Sequence, residues 1–210
     1  PEFSYGKNKD VVTQAELELL AIEANGGAIK RPSDGKEIQS VLFIQCAGQR
    51  STKENHLQHC SGYCCSASIK QAMYFKDQNA DVDTTVLYTD LRTPGAGGEN
   101  FYRSGQNKGI TFRKGVASEV VDGASPTVKF KDLILDEDLS EEVDLVVLAT
   151  GMVANAGEPT REEITASENA AKEEGTEYKV SVESILNIDY RKGKDMPHLD
   201  NGFADSHLIC

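Results

Sequence analysis

Residues 41–78 read VLFIQCAGQRSTKENHLQHCSGYCCSASIKQAMYFKDQ. The run at 41–45 is four-fifths apolar and rich in Val, Ile and Phe, which suits a parallel strand covered on both faces. Residues 66–78 set Ile69, Ala72, Met73 and Tyr74 against Lys70 and Lys76, the two-sided pattern of a packed helix. Strand, loop and helix in this order form the phosphate corner of a dinucleotide-binding domain. There the glycines of G-x-G-x-x-G let a pyrophosphate reach the helix N-terminus. This loop has no glycine triplet. It carries Cys46, Cys60, Cys64 and Cys65 in the spacing C-x13-C-x3-C-C, with Cys64 and Cys65 where the phosphates would sit.

Working outward, DTTVLYTD at 83–90 reads as a second strand, 99–107 as a helix and 110–113 as a third strand. Residues 116–121, 127–135 and 142–148 read as further strands. The seven acidic residues between 132 and 144 predict a solvated turn. Upstream, 10–24 reads as a short strand and a helix opened by Thr13 or Gln14, with Leu17, Leu19, Leu20 and Ile22 as its apolar positions. Gly26 and Gly27 end it. Residues 28–46 form a hairpin turned at PSDG, 32–35, whose second arm is the strand at 41–45. The order β-α-β-α-β, a β-meander and a last apolar strand predicts an α/β fold. It is a Rossmann-like, nicotinamide-type domain with three parallel strands in one sheet. Three regions follow: 1–40, a lead-in helix and hairpin; 41–155, the dinucleotide-type domain with the cysteine loop; and 156–210, an acidic helix at about 160–174 and an extended connector.

Composition narrows the function. Hydrophobic content of 39% and charged content of 27% describe a soluble globular protein. No apolar run reaches the roughly 20 residues of a membrane span, and no apolar leader marks secretion. A net charge of −12 argues against a nucleic-acid groove. Five cysteines in 210 residues, four of them in one loop, do not make a secreted disulfide scaffold. Reduced thiols in a cytoplasmic setting, or metal ligands, are expected. PEFSYG at the start and SHLIC at the end look cut, as in a piece excised from a larger protein.

Paired C-x2-C motifs of a zinc ribbon and a thioredoxin-type C-x-x-C are both missing. Vicinal Cys64 and Cys65 cannot bridge each other without strain. Four thiolates match the ligand count of an iron–sulfur cube. A strand tip carrying Cys46 and a helix start carrying Cys64 and Cys65 converge in this fold, so the four sulfurs are expected to surround one point. The helix dipole and free N–H groups favour an anion there. Two alternatives stay open: free, partly buried thiols, and zinc, with His56 or His59 replacing a cysteine.

FIQCAGQR, HCSGYCCSASIKQA, VLYTDLRTPGAGGENFYR and DLVVLATGMVAN, together with RPSDGKE at 31–37, resemble the A-subunit family of heterodisulfide reductase. That family includes the quinone-interacting membrane-bound oxidoreductase subunits of sulfate reducers, whose B subunit the acidic segment and GFADSHLIC resemble. The resemblance runs from about 11 to 155 and more loosely to the end. It implies a thioredoxin-reductase-like FAD/NAD(P)-binding fold, of which this is the nicotinamide-type domain. In the family the matching cysteines bind a [4Fe–4S] cluster, which carries over to Cys46, Cys60, Cys64 and Cys65. Electrons then pass between FAD, the cluster and partner subunits of a redox complex, and the fragment alone is expected to be inactive. No flavin-binding glycine motif occurs in the chain, so most of the FAD site is expected outside it. Thr150 and Gly151, in LATG, resemble the strand end where such chains return to the flavin domain, with a plain tight glycine turn as the alternative. The regions 1–40 and 156–210 would then border that domain. Arg92 and Arg103, flanking TPGAGGE at 93–99, are candidates for a phosphate or partner contact, and that loop for docking. Cys210 is incidental. No nucleic acid and no membrane insertion are implied, and a homodimer stays open. A true NAD(P)H-binding domain, with Asp90 as ribose ligand, and a non-redox zinc or assembly module are the competing functions.

Overall fold

The computed structural model describes residues 2–54, 56–152, 169, 170 and 172. The chain divides into two units, Pro1–Gly151 and Met152–Cys210. In the first, a seven-stranded sheet has the order β1-β7-β2-β3-β4-β5-β6. Its strands are β1 (Val11–Thr13), β2 (Ser40–Ile44), β3 (Asp83–Tyr88), β4 (Thr111–Val121), β5 (Thr127–Asp132), β6 (Glu137–Glu142) and β7 (Leu145–Leu148). The pairs β1–β7, β7–β2, β2–β3 and β3–β4 are parallel, while β4–β5 and β5–β6 are antiparallel. The helices are α1 (Gln14–Ala24), α2 (Cys64–Gln78) and α3 (Gly98–Asn107). This is the Rossmann-like α/β domain with a meander that the element order predicts.

Two apolar layers sandwich the parallel strands, because their residues alternate between faces. Val12, Val41, Phe43, Val86, Leu145 and Val147 point to the face where Leu17 of α1 and Ala72 and Phe75 of α2 pack. Val11, Leu42, Ile44, Leu87, Val146 and Leu148 point to the other, with Val128 and Phe130 of β5 and Phe3 and Tyr5 of the N-terminal segment. Gly105 lets α3 lie close to α2: an added Cβ would press on Ile69 and Phe112 at 3.2 and 3.3 Å.

α1 starts at a capping box. Thr13 and Glu16 each hydrogen-bond the other's backbone N–H, which satisfies donors the helix cannot. Asn25 ends α1 in the left-handed conformation, just before Gly26 and Gly27. The expected turn at 32–35 is present, with Lys30 and Glu37 bridged antiparallel across it. The residue behind it is Arg31, whose guanidinium binds buried Asp10 at 2.6 Å and Asp144 at 3.4 Å.

Four expectations need correction. Leu19 and Ile22 are 60% and 70% exposed; the inner stripe of α1 is Leu17, Leu20, Ala21 and Ala24, which the 3.6-residue period selects. The strands expected at 110–113 and 116–121 are one, β4, which pairs parallel with β3 and then antiparallel with β5 across an irregularity between Ala117 and Glu119. The acidic stretch expected to be a turn holds β6, an edge strand with four acidic residues in six that only β5 pairs. The parallel strands number five, because β1 and β7 extend the row. Beyond 152, Asn169, Ala170 and Lys172 are helical, within the acidic helix expected at about 160–174. The rest of that helix, the connector and Cys210 lie outside the described residues. Among those described, no helix is long and apolar enough to cross a membrane.

Candidate functional site: the cysteine loop

Ligands of open parallel sheets bind beyond the carboxyl ends of the strands, and the cysteines are there. Cys46 lies two residues beyond the end of β2, in the left-handed conformation (φ 57°) that turns the chain off the sheet. Its N-terminal neighbour Gln45 donates its backbone N–H to the Leu87 carbonyl, and Ala47 donates to Ala149, so the strand tip is pinned on both sides. The loop folds back on itself where Gln49 and Leu57 bridge, with the Leu57 N–H donating to the Gly48 carbonyl at 2.9 Å. Cys64 and Cys65 form the first turn of α2, two residues earlier than the helix expected from Ser66, and both are buried. Cys46 and Cys60 are half-buried, and all four are free thiols. No side chain caps α2 at Tyr63, which leaves its first N–H groups facing the loop.

Two of the sulfurs accept hydrogen bonds, and nitrogens of Arg50 and Arg92 lie near the others. Gln49 Nε2 lies 3.1 Å from Cys64 Sγ, and the Gly62 N–H donates to Cys60 Sγ at 3.4 Å. The Arg50 guanidinium approaches Cys46, the Arg92 guanidinium approaches Cys60, and the Arg92 backbone N–H approaches Cys65. Burial pushes the Cys46 thiol pKa up; the Arg50 side chain opposes the rise, and Cys60 and Cys64 add to it. Burial likewise raises Cys65; the Arg92 N–H opposes it, and the other three thiols add to it. The four groups are therefore electrostatic neighbours. Among the described residues, however, no three His, Cys, Asp or Glu side chains are drawn together as a ligand set, so the sulfurs stand near one another without the full convergence expected.

The donor set fits an anionic thiolate centre on three counts. Four sulfurs are the right number and kind. Two arginines, held by Asp90 at 3.4 Å and 2.9 Å, offset its charge. The Gln45 amide is 8% exposed, yet neither its oxygen nor its nitrogen has a hydrogen-bond partner. Such a buried orphan calls for a group that protein atoms do not supply.

Of the other candidate residues, His56 turns its Nε2 to Glu2 at 3.1 Å. Arg103 pairs with Glu99 at 3.7 Å on the exposed side of α3. Asp90, the ribose ligand of the NAD(P)H alternative, binds Arg50 and Arg92. Thr150 is exposed, and Gly151 has φ +87° directly against Gln49. Sequence reasoning missed Gln49 and Arg50. The only signal for them was their position four residues or fewer after Cys46.

Fold and loop together define a class: a dinucleotide-type α/β module with four thiols at the corner between β2 and α2. The A subunit of the "Ferredoxin/F(420)H(2)-dependent CoB-CoM heterodisulfide reductase" of Methanosarcina acetivorans is 36% identical to the chain over 164 residues, 76% of this chain and 20% of that one. The A subunit of the "H(2):CoB-CoM heterodisulfide,ferredoxin reductase" of Methanothermobacter marburgensis is 36% identical over 176 residues, 80% and 26% of the two chains. One of the iron–sulfur A subunits of the "CoB--CoM heterodisulfide reductase" of Methanopyrus kandleri is 36% identical over 158 residues, 72% and 24%. The chain belongs to the A-subunit family of heterodisulfide reductase. It spans 20–26% of the length of these relatives. No family model matches it. Among solved structures, the thioredoxin reductase of Lactococcus lactis is 17% identical with a TM-score of 0.45, covering 74% of this chain and 40% of that one. The thioredoxin reductase of T. acidophilum is 16% identical with a TM-score of 0.41, covering 77% and 43%.

Proposed function

We propose that this chain is an electron-transfer module of a flavin/iron–sulfur oxidoreductase, in which Cys46, Cys60, Cys64 and Cys65 hold a [4Fe–4S] cluster. The observation that carries this reading is the gathering of four thiols at the carboxyl edge of a parallel sheet, two of them accepting hydrogen bonds at sulfur and with Arg50 and Arg92 close by. A cluster bound there supplies one-electron transfer. The protein's part is positional and electrostatic. The tip of β2 fixes Cys46, and the first turn of α2 fixes Cys64 and Cys65 and directs its N–H groups and positive dipole end at the loop. Arg50 and Arg92 lower the cost of gathering thiolates, and the N–H donors to sulfur bias the potential upward.

The relatives are named as reductase subunits, one of them as an iron–sulfur subunit. By that kinship the electrons pass between FAD, the cluster and partner subunits, with FAD held mostly by protein outside these 210 residues. On the same reading Thr150 and Gly151, just beyond β7, are where the chain returns toward the flavin-binding part. Nicotinamide cofactors have no place in this reading: the phosphate corner is filled by Cys64 and Cys65, and Asp90 is paired with arginines.

Anaerobic reconstitution with iron and sulfide tests the proposal. A broad, dithionite-bleachable absorption near ~400 nm is expected, with no calorimetric response to NADH. A colourless protein that binds NADH with micromolar affinity would overturn it.

A further inference from the structure

Gln49 is 3% exposed and uses its whole amide. Its Nε2 donates to Cys64 Sγ at 3.1 Å and to the Ala149 carbonyl at 3.2 Å. Its Oε1 accepts from Ser61 Oγ at 2.9 Å and from the Ser61 N–H at 3.3 Å. Its own N–H donates to the Cys46 carbonyl at 3.3 Å. One side chain thus joins the first turn of α2, the far arm of the loop and the residue that follows β7. A group with both amide protons and its carbonyl oxygen engaged has one favourable orientation, and burial makes every other orientation costly. The space it occupies exists because residue 151 is glycine. A Cβ there would stand 2.6 Å from Gln49 Cδ, and φ is +87°.

We propose that Gln49 is the positioning residue of the thiol centre: its amide sets the Cys64 sulfur against Ser61 and the end of β7, and Gly151 is the residue that makes room for it. Cys64 is thereby coupled to the strand end at which the chain leaves the sheet. The redox consequence rests on the four-thiol reading above; the positional one does not. Removing an N–H donor from a ligand sulfur destabilises the more negative, reduced state of a centre, so loss of Gln49 shifts a bound cluster to lower potential.

The test has two arms and two variants. Gln49→Met keeps length and bulk and deletes the side chain's four hydrogen bonds. Gly151→Ala leaves Gln49 intact and pushes it aside. In the first arm the reduced, metal-free chain is alkylated with iodoacetamide and mapped by peptide mass. Alkylated at high pH, where access and not the thiolate fraction limits the rate, Cys64 should react roughly tenfold faster in both variants than in the parent, while Cys65, buried beside it but not bonded to Gln49, keeps its parental rate. Parental protection of Cys64, or an equal rise at Cys64 and Cys65, would overturn the proposal, the latter because it reports general loosening. In the second arm the reconstituted chains are poised at the parental midpoint, where the reduced-to-oxidised ratio of Gln49→Met should fall several-fold; an unchanged ratio removes the redox role. A parent that takes up no iron and sulfide refutes the cluster, and the alkylation arm still decides what Gln49 does.

Discussion

The two ends of the parallel sheet treat polar residues in opposite ways. At the amino end, Asp10 is 1% exposed and accepts from Arg31 Nη2 at 2.6 Å, Arg31 Nε at 3.2 Å, Ser33 Oγ at 2.6 Å and Ser33 N–H at 3.0 Å. Arg31 also donates to the Ala124 carbonyl at 2.6 Å and reaches Asp144, which accepts from the N–H groups of Gln39 and Ser40 at 2.8 and 3.2 Å. Charges and donors there satisfy one another, and the result ties β1, the turn at 32–35 and the starts of β2 and β7 together. At the carboxyl end, Cys46 leaves the sheet in a left-handed turn, the Gln45 amide has no partner, and four thiols stand under arginines and an uncapped helix start. Polarity alone would have marked both ends as sites. What separates them is that one cluster is complete within the protein and the other is not.

The strongest way to break this contrast is at the closed end. Arg31→Ala strands Asp10 as a buried, unpaired carboxylate and should cost about 3–5 kcal/mol in denaturant titration. By the same comparison, Cys60→Ser at the open end should change stability by no more than about 1 kcal/mol, since Cys60 is half-buried and its contacts, the Gly62 N–H at 3.4 Å and the Arg92 guanidinium, are ones a serine oxygen can also accept. Similar costs at both ends would show that the carboxyl cluster is a structural staple as well.

The next effect sharpens the boundary between the two ends. Gly151→Ala combines a left-handed backbone with the Gln49 collision and should cost about 1–3 kcal/mol. Chemical denaturation of Gly151→Ala with and without Gln49→Ser should show that shortening residue 49 recovers part of the loss. Full additivity would mean the cost is backbone strain only.

The smallest effect lies at the start of α1. Burial alone would raise the Glu16 carboxyl pKa, but hydrogen bonds from the Thr13 N–H, the Thr13 hydroxyl and Tyr5 outweigh it and hold it below its ordinary 4.5. A depressed pKa stabilises the fold above the unfolded value, and that stability is lost as pH falls through the folded value. Thr13→Ala should cost about 1 kcal/mol at neutral pH. The stability gap between the parent and Glu16→Gln should shrink as pH drops below 4.5. A gap independent of pH would show that the capping box does not depend on the Glu16 charge.

The fold was legible wherever burial on both faces forces a continuous apolar run, as in VLFI of β2 and LVVL of β7. It was not legible in β6, because an edge strand paired on one side needs no apolar residues and EDLSEE reads as a solvated turn. Leu19 and Ile22 misled for a related reason: apolar residues are common on surfaces, and only their phase relative to Leu17 separates the two faces of α1. The cysteine loop was visible as a spacing. Its supporting residues Gln49 and Arg50 were not, and Arg92 was legible only as a phosphate or partner contact, since their roles come from contacts across the loop and with the ends of β3 and β7, and a glutamine or arginine has no spacing signature of its own.

The central claim is that the open end holds one iron–sulfur centre on four named sulfurs. Its most direct test is iron and acid-labile sulfide per chain after anaerobic reconstitution, in the parent and in the four single Cys→Ser variants of Cys46, Cys60, Cys64 and Cys65. About four iron and about four sulfide are expected in the parent, and a large loss in every variant with the circular dichroism of the sheet preserved. Full iron and sulfide content in any one variant would remove that cysteine from the ligand set, and zinc without sulfide in the parent would contradict the claim outright.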